Sequence, residues 1–218
     1  MWFVYGSDGQ GNRAENGLVY CLEPQRIVYY QLCGNIFLNR LDSAFAFNLA
    51  LGATEGHLRL EIDYEKSPNN AAFTLLDDVR AAGAVRESQD GGGAQVFVGS
   101  VKYAEAGRSW PIEQKTLDSL RVEHNPTFIK LDVEGYELDV LKGGQGVLEN
   151  SKYPPLVLEV WDKDWFKTRK EALVSYLTGL QYGLTFLGQD TVLAQHPAHP
   201  VQIACKVEQN ELKLSRIR

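Results

Sequence analysis

Acidic side chains stand at the ends of three apolar runs that the sequence predicts to be strands. Glu23 follows the first run, Asp132 and Glu134 stand at the end of the second, and Glu159 lies within the third; the runs are 19–22, 127–133 and 156–161. In open α/β sheets, ligands bind outside the carboxyl ends of the strands. The positions of these acids therefore predict a ligand site rich in carboxylates.

Glu23 ends a strand and precedes Pro24, which suits the first turn of a helix because no amide donor is needed there. A carboxylate at this position can accept hydrogen bonds from both hydroxyls of a ribose. It can equally be an acid that the helix dipole stabilises by about 0.3–1 kcal/mol. The strand–helix–strand context favours ribose binding.

Asp132 and Glu134 lie two residues apart, so an extended chain would point them to opposite faces. One carboxylate would then serve the site, and Glu134 or Glu137 would cap the following helix. Asp132 is the better site candidate, as a general base or as an anchor for a cationic ligand. Lys130 lies on the same side of the strand as Asp132 and can pair with it.

Two other groups have a functional and a structural interpretation. Glu159 lies within an apolar strand and needs a partner, as a satisfied structural acid or as an acceptor for a substrate hydrogen bond. His196 and His199 lie three apart in a proline-containing segment with no acid beside them. A surface loop is favoured there over a metal site, and no metal ligand is predicted in the chain.

The secondary-structure elements that must position these residues are predicted to form βαβ units. Apolar residues after Pro24 recur at helical spacing and predict one buried helix face, formed by Ile27, Tyr30, Gly34, Phe37 and Leu41. Strands are predicted over 44–51 and 58–64, and a helix carrying Leu138, Leu141 and Leu148 follows Gly135. This alternation is typical of an α/β fold with a mostly parallel sheet, and the C-terminal strands are expected to be antiparallel. One domain over 1–218, with an inserted β segment at about 55–115, is the simplest division.

The amino-acid composition and net charge of the chain exclude several classes of protein. The chain has 218 residues, 44% of them hydrophobic, 23% charged, and a net charge of −6. These values are typical of a globular domain and argue against a nucleic-acid partner bound through phosphates. No apolar run approaches the ~18 residues of a membrane span, and the first residues do not resemble a signal peptide. Three cysteines without metal spacing suit a reducing, cytoplasmic location.

The segment 128–144, FIKLDVEGYELDVLKGG, resembles the I-K-x-D-x-E-G-x-E-x-x-V-L-x-G block of the FkbM-type methyltransferases. Further similarities to that family lie at Leu22–Arg26, Leu32–Asn39, Thr116–Asp118 and Pro155–Glu159. The resemblance runs from about residue 17 to about residue 188.

The resemblance implies a class I methyltransferase (Rossmann-like) fold and S-adenosyl-L-methionine as cofactor. It also implies methyl transfer to a hydroxyl of a sugar, glycolipid or related small molecule. Glu23 would bind the cofactor ribose, Asn48 and Ala50 would lie near the adenine, and Asp132 would face the reacting centre. Lys130 and Glu134 complete the expected catalytic group. From their positions, we expect Asp63, Tyr64 and Asn70 in the insert, together with Glu159, to contact the acceptor.

The chain departs from the family's first motif, which is a strand followed by a glycine-rich turn and a helix. Its nearest match is 5–12, and Asp8 lies only 15 residues before Glu23, whereas the motif needs about 20. The sequence therefore predicts that the first strand and helix are missing or degenerate, as in a chain truncated at its N-terminus. An inactive remnant or binding module is then the alternative to an active enzyme. A nucleotide-binding oxidoreductase ranks third, because G-x-G-x-x-G is absent. An open sheet edge would also permit pairing between copies.

Overall fold

The computed structural model describes residues 2–5, 17–62, 73–75, 93–97, 109–120, 124–188, 190–208 and 211–217. The helices are α1 (Arg26–Leu38), α2 (Glu137–Lys142), α3 (Gln145–Asn150) and α4 (Lys167–Gly179), with a 3-10 turn at Asp164–Phe166. The strands, in chain order from β1 to β14, are Trp2–Tyr5, Leu18–Leu22, Ala44–Phe47, Ala50–Leu51, Gly56–Ile62, Phe73–Leu75, Gly93–Phe97, Ser109–Lys115, Phe128–Leu131, Leu156–Glu159, Gly183–Phe186, Thr191–Gln195, Ile203–Glu208 and Glu211–Arg216.

A seven-stranded sheet in the order β11-β12-β10-β9-β1-β2-β3 forms the centre of the protein. The pairs β2–β3 and β9–β10 are parallel, and α1 or α2–α3 connects the strands of each pair. On the other side, β12 runs antiparallel to both β10 and β11. The predicted α/β class with antiparallel C-terminal strands is therefore confirmed.

The central strand β1 runs antiparallel to both of its neighbours. Trp2 lies opposite Cys21 and Lys130, whereas Tyr5 lies opposite Leu18 at the other end of the sheet. A strand thus occupies the position where the sequence predicts a missing or degenerate one, and its direction is reversed. The sheet is consequently mixed, and the chain leaves β1 at the edge remote from the carboxyl ends of β2 and β9.

One face of the main sheet carries most of the core. Ile129 and Leu131 alternate with half-buried residues along β9, and Leu156 and Leu158 do the same along β10. All four are at most 1% exposed and pack with α2, α3 and α4 through Val140, Leu141, Leu148, Leu173 and Leu177. The period-2 pattern places these apolar side chains on a single face.

The predicted strand over 44–51 is divided between two sheets. β3 is the edge of the main sheet, and β4 pairs with β8 in a five-stranded sheet of order β4-β8-β5-β7-β6. Asn48 and Leu49 lie between the two strands. The Asn48 side-chain amide donates to the carbonyls of Glu23 and Pro24, at 2.8 and 3.1 Å, and this fixes the corner against the end of β2.

The predicted helix after Gly135 is also divided, into α2 and α3, at Gly143 and Gly144. A side chain at Gly143 would collide with the backbone carbonyl of Gly52, which follows β4. The Asp118 carboxylate accepts from the backbone N–H groups of Gly146 and Val147, at 3.0 and 2.8 Å. The two glycines thus allow a close approach, and Asp118 binds the first turn of α3.

The predicted buried face of α1 is wrong. Ile27, Tyr30, Phe37 and Leu41 are 40–81% exposed, whereas Val28, Leu32 and Ile36 are half-buried. Apolar residues occupy both the exposed and the half-buried side of the helix, so its periodicity could not select the face that packs. Along the described ranges, every helix is too short or too polar to cross a membrane.

Candidate active site

Three acidic side chains meet where β9 and β10 end. One carboxylate oxygen from each of Asp132, Glu134 and Glu159 lies within 4.8 Å of the others. Asp132 is exposed, and the other two are half-buried. The expectation that Asp132 and Glu134 point to opposite faces is wrong, because the chain is no longer extended after Leu131.

The turn after β9 brings Glu134 back toward Asp132. Glu134 and Gly135 both adopt the left-handed conformation, with φ of 54° and 91°. Glycine tolerates this region, but a residue with a Cβ does so at a cost of about 1–2 kcal/mol. The surrounding contacts must therefore hold Glu134 in place.

Glu137 supplies those contacts. Its side chain is 1% exposed, and its Oε1 accepts from the backbone N–H groups of Val133 and Gly135, at 3.2 and 3.4 Å. It therefore supports the turn that precedes its helix. Sequence reasoning considered this residue only as a helix cap, although the acids at 132, 134 and 137 around one glycine could have indicated a shared turn.

Burial and mutual repulsion raise the pKa values of Glu134 and Glu137. Desolvation is the largest cause for Glu134, followed by the charges of Glu159, Asp132, Glu137 and Glu23, and it raises the Glu134 pKa to about 8. Desolvation also raises the pKa of Glu137 to about 7, although its backbone hydrogen bonds lower it. Two carboxyl groups here can thus hold a proton near neutral pH.

Asp132 lies close to Lys130 and Glu159. The Lys130 ammonium donates to its Oδ2 at 2.5 Å, and this is the predicted pairing. Glu159 accepts a hydrogen bond from Trp161, and its carboxylate lies within 4.8 Å of the Asp132 carboxylate. Desolvation chiefly raises the pKa of Glu159, and the bond from Trp161 opposes that rise.

Glu23 stands at the neighbouring strand end. Its Oε1 accepts from the backbone N–H of Gln25 at 2.7 Å. Burial raises its pKa, the Gln25 bond lowers it, and the charge of Asp132 contributes a smaller rise. The two strand ends are thus close enough for their charges to interact.

The other predicted residues have different surroundings. Asn48 uses its amide to fix backbone carbonyls. Ala50 is buried in β4, opposite Gln114. Asp63, Tyr64 and Asn70 lie outside the described residues.

The segment around His196 and His199 is a loop with Pro197, Ala198 and Pro200 exposed, as predicted, but the two histidine side chains are buried. The Nδ1 atoms accept from the backbone N–H groups of Ala198 and Val201, both at 3.1 Å. The His196 ring stacks on Tyr153 with 4.7 Å between centroids. These histidines close the loop after β12.

This arrangement favours a cationic ligand. Clustered carboxylates create a negative field that attracts positive charge. The oxygens of Asp132, Glu134 and Glu159 are also the donor type that Mg²⁺ and Ca²⁺ prefer. The fold and site define a Rossmann-like α/β domain with a cluster of three acids, a candidate ligand site, at the carboxyl ends of β9 and β10.

Comparison with known proteins identifies the family. The family model described as the methyltransferase FkbM domain matches residues 11–182, well over half of the chain. The chain belongs to the FkbM methyltransferase domain family, as the motif at 128–144 predicts.

A solved structure is also similar to this chain. It is the methyltransferase FkbM from Methylobacillus flagellatus KT, which is 18% identical over 80% of this chain with a TM-score of 0.45. The present chain covers 35% of that protein's chain. A search of the curated proteins finds no match.

Proposed function

We propose that the protein is an S-adenosyl-L-methionine-dependent O-methyltransferase that acts on a hydroxyl of a sugar, glycolipid or related small molecule. The observation that supports this most is the meeting of Asp132, Glu134 and Glu159 beside Glu23 in a member of this family. The site offers a carboxylate for a ribose, a negative field for a sulfonium, and a carboxyl group that can receive a proton.

The residues present fit two parts of the cofactor. Glu23 follows β2 and retains acceptor capacity beyond its bond to Gln25, as ribose hydroxyls require. The acids around Asp132 suit the positive sulfonium. We assign no described residue to the methionine end, because β1 is reversed and its carboxyl end lies at the opposite edge.

When bound, the cofactor supplies an electrophilic methyl group on a sulfonium. Glu134 is the proposed general base, since its raised pKa of about 8 makes its carboxylate a proton acceptor matched to mildly alkaline conditions. It would take the proton that the acceptor hydroxyl loses. Lys130 holds Asp132 in position, and Glu159, bonded to Trp161, would accept a hydrogen bond from the acceptor.

Thermal melting with S-adenosylhomocysteine tests the proposal. Binding at 100 times Kd stabilises the native state by about 2.7 kcal/mol, which shifts Tm by about 5–10 °C for a chain of this size. Glu23→Gln should reduce the shift, whereas Glu149→Gln, on the exposed surface of α3, should not. NAD is the comparison ligand.

The outcomes separate the competing functions. A shift with S-adenosylhomocysteine that depends on Glu23 supports the enzyme. A cooperative melt with no shift refutes cofactor dependence and favours the inactive binding module, which the reversed β1 also favours. A shift with NAD alone supports the oxidoreductase. The three free cysteines suit the proposed cytoplasmic location.

A further inference from the structure

A stripe of large apolar side chains lies exposed along α1 and the residues just after it. Tyr30 is 50% exposed, Phe37 is 81% exposed and Leu38 is 76% exposed. Ile27 and Leu41 extend the stripe at 40% and 48%. At 3.6 residues per turn, Ile27, Tyr30, Phe37 and Leu38 lie within about 100° of one another around the helix axis, and Leu41 follows the end of the helix.

The composition of α1 is that of a buried helix. Arg26 is its only charged residue, and none of its 13 residues, all of which the structure describes, is buried. A helix with apolar residues on most of its surface normally packs against other protein surfaces. Interface cores are likewise poor in charge and rich in Tyr and Phe.

Gly34 lies in the middle of the stripe. Within the described ranges, and apart from the backbone of α1 itself and the two chain neighbours, no atom lies within 4 Å of the position that its Cβ would occupy. Glycine inside a helix costs roughly 0.5–1 kcal/mol relative to alanine, and packing against the described residues does not require it here. A glycine in this place allows a second helix to approach closely.

We propose that the α1 stripe is the interface of a homodimer, in which α1 of one copy packs on α1 of a second copy across a two-fold axis. An antiparallel crossing at Gly34 sets Tyr30, four residues before the crossing, opposite Leu38, four residues after it. Apolar side chains then face each other on both sides of the crossing. The stripe is therefore complementary to itself, as an isologous interface requires.

The exposed area agrees with this assignment. If the area of about 150–250 Å² for an aromatic side chain is taken for Ile and Leu as well, the exposed fractions of these five residues leave roughly 500 Å² of apolar surface on each copy. Two copies would bury about 1,000 Å², the lower bound for a specific interface. We therefore expect a dimer of moderate affinity that forms as concentration rises.

Light scattering at increasing protein concentration tests the interface. The apparent mass should approach twice the chain mass of 24.4 kDa. Phe37→Ser combined with Leu38→Ser should hold the protein at the monomer mass. Phe186→Ser is the matched control, since Phe186 is 54% exposed on β11 and should leave the dimer intact.

Crosslinking locates the contact. In a Cys33→Ser background, Gly34→Cys should form a disulfide-linked dimer on mild oxidation, because the Cα atoms at a close crossing fall within the about 4.4–6.8 Å that a disulfide spans. Glu149→Cys, on exposed α3, should give little dimer. The proposal is overturned if the protein is a monomer at every concentration, or if positions 34 and 149 crosslink equally. It is also overturned if the dimer persists in the variant with both Phe37→Ser and Leu38→Ser.

Discussion

Replacing Glu137 with glutamine should change how the stability of the protein depends on pH. The folded state raises the pKa of this carboxyl group from its ordinary value of 4.5 to about 7, chiefly through burial. Because the folded pKa is the higher one, protonation favours folding. The contribution is fully present below about pH 4.5 and is lost as the pH rises to about 7.

The magnitude follows from linkage. A difference between 4.5 and about 7, at about 1.4 kcal/mol for each unit of pKa, corresponds to about 3 kcal/mol. That is about 6–12 °C in Tm for a chain of this size. Glu137→Gln keeps the acceptor oxygen for Val133 and Gly135 but cannot ionise, so this part of the pH dependence should vanish.

Calorimetry between pH 5 and pH 8 measures the effect. The variant should lose about 1 kcal/mol at pH 5 through its altered hydrogen bonds, and it should exceed the wild type at pH 8. Glu149→Gln, at an exposed position, should follow the wild type. If Glu137→Gln and the wild type show parallel pH profiles, the burial argument for Glu137 is wrong.

Three other substitutions test the scaffold and the proposed base. Asp118→Ala should lower the free energy of unfolding in urea by about 1–2 kcal/mol, because α3 loses its cap; Asp118→Asn should lose less, and an unchanged midpoint in Asp118→Ala would contradict the capping role. Gly143→Ala should lower the free energy of unfolding by about 1–3 kcal/mol, because the new side chain collides with Gly52. Gly179→Ala, whose side chain meets no atom of the described residues within 4 Å, should raise it by about 0.4–1 kcal/mol. Equal changes in the two variants would refute the close approach of Gly143 to Gly52. Methyl transfer by the wild type should increase with pH up to about 8, where Glu134 ionises. Glu134→Gln should lower kcat by about 10²–10⁴ and abolish this increase with pH. A pH profile unchanged by Glu134→Gln would exclude Glu134 as the base.

The strand ends that carry the acids could be predicted from the sequence. Alternating apolar residues define β9 and β10, and the rule that ligands bind at carboxyl ends singles out Asp132 and Glu159. The meeting of Asp132 with Glu134 could not be predicted in this way. It depends on the left-handed backbone of Glu134, which sequence alternation does not encode.

The direction of β1 and the packed face of α1 also escaped prediction, for different reasons. An antiparallel partner and a parallel partner require the same apolar residues, so the composition of 2–5 does not reveal which way the strand runs. In α1, apolar residues occupy both the half-buried side and the exposed stripe. Periodicity detects the helix but does not choose between its two faces.

The reversed central strand has a consequence for the order of folding. β1 and β2 are close in sequence and pair from Trp2–Cys21 to Tyr5–Leu18. The pairing of β1 with β9 joins residues more than a hundred positions apart, such as Trp2 and Lys130. Local pairings close at a lower entropic cost than distant ones. We therefore expect β1 and β2 to form early as a hairpin, which then docks as a unit against the β9–β10 half of the sheet in the slow step.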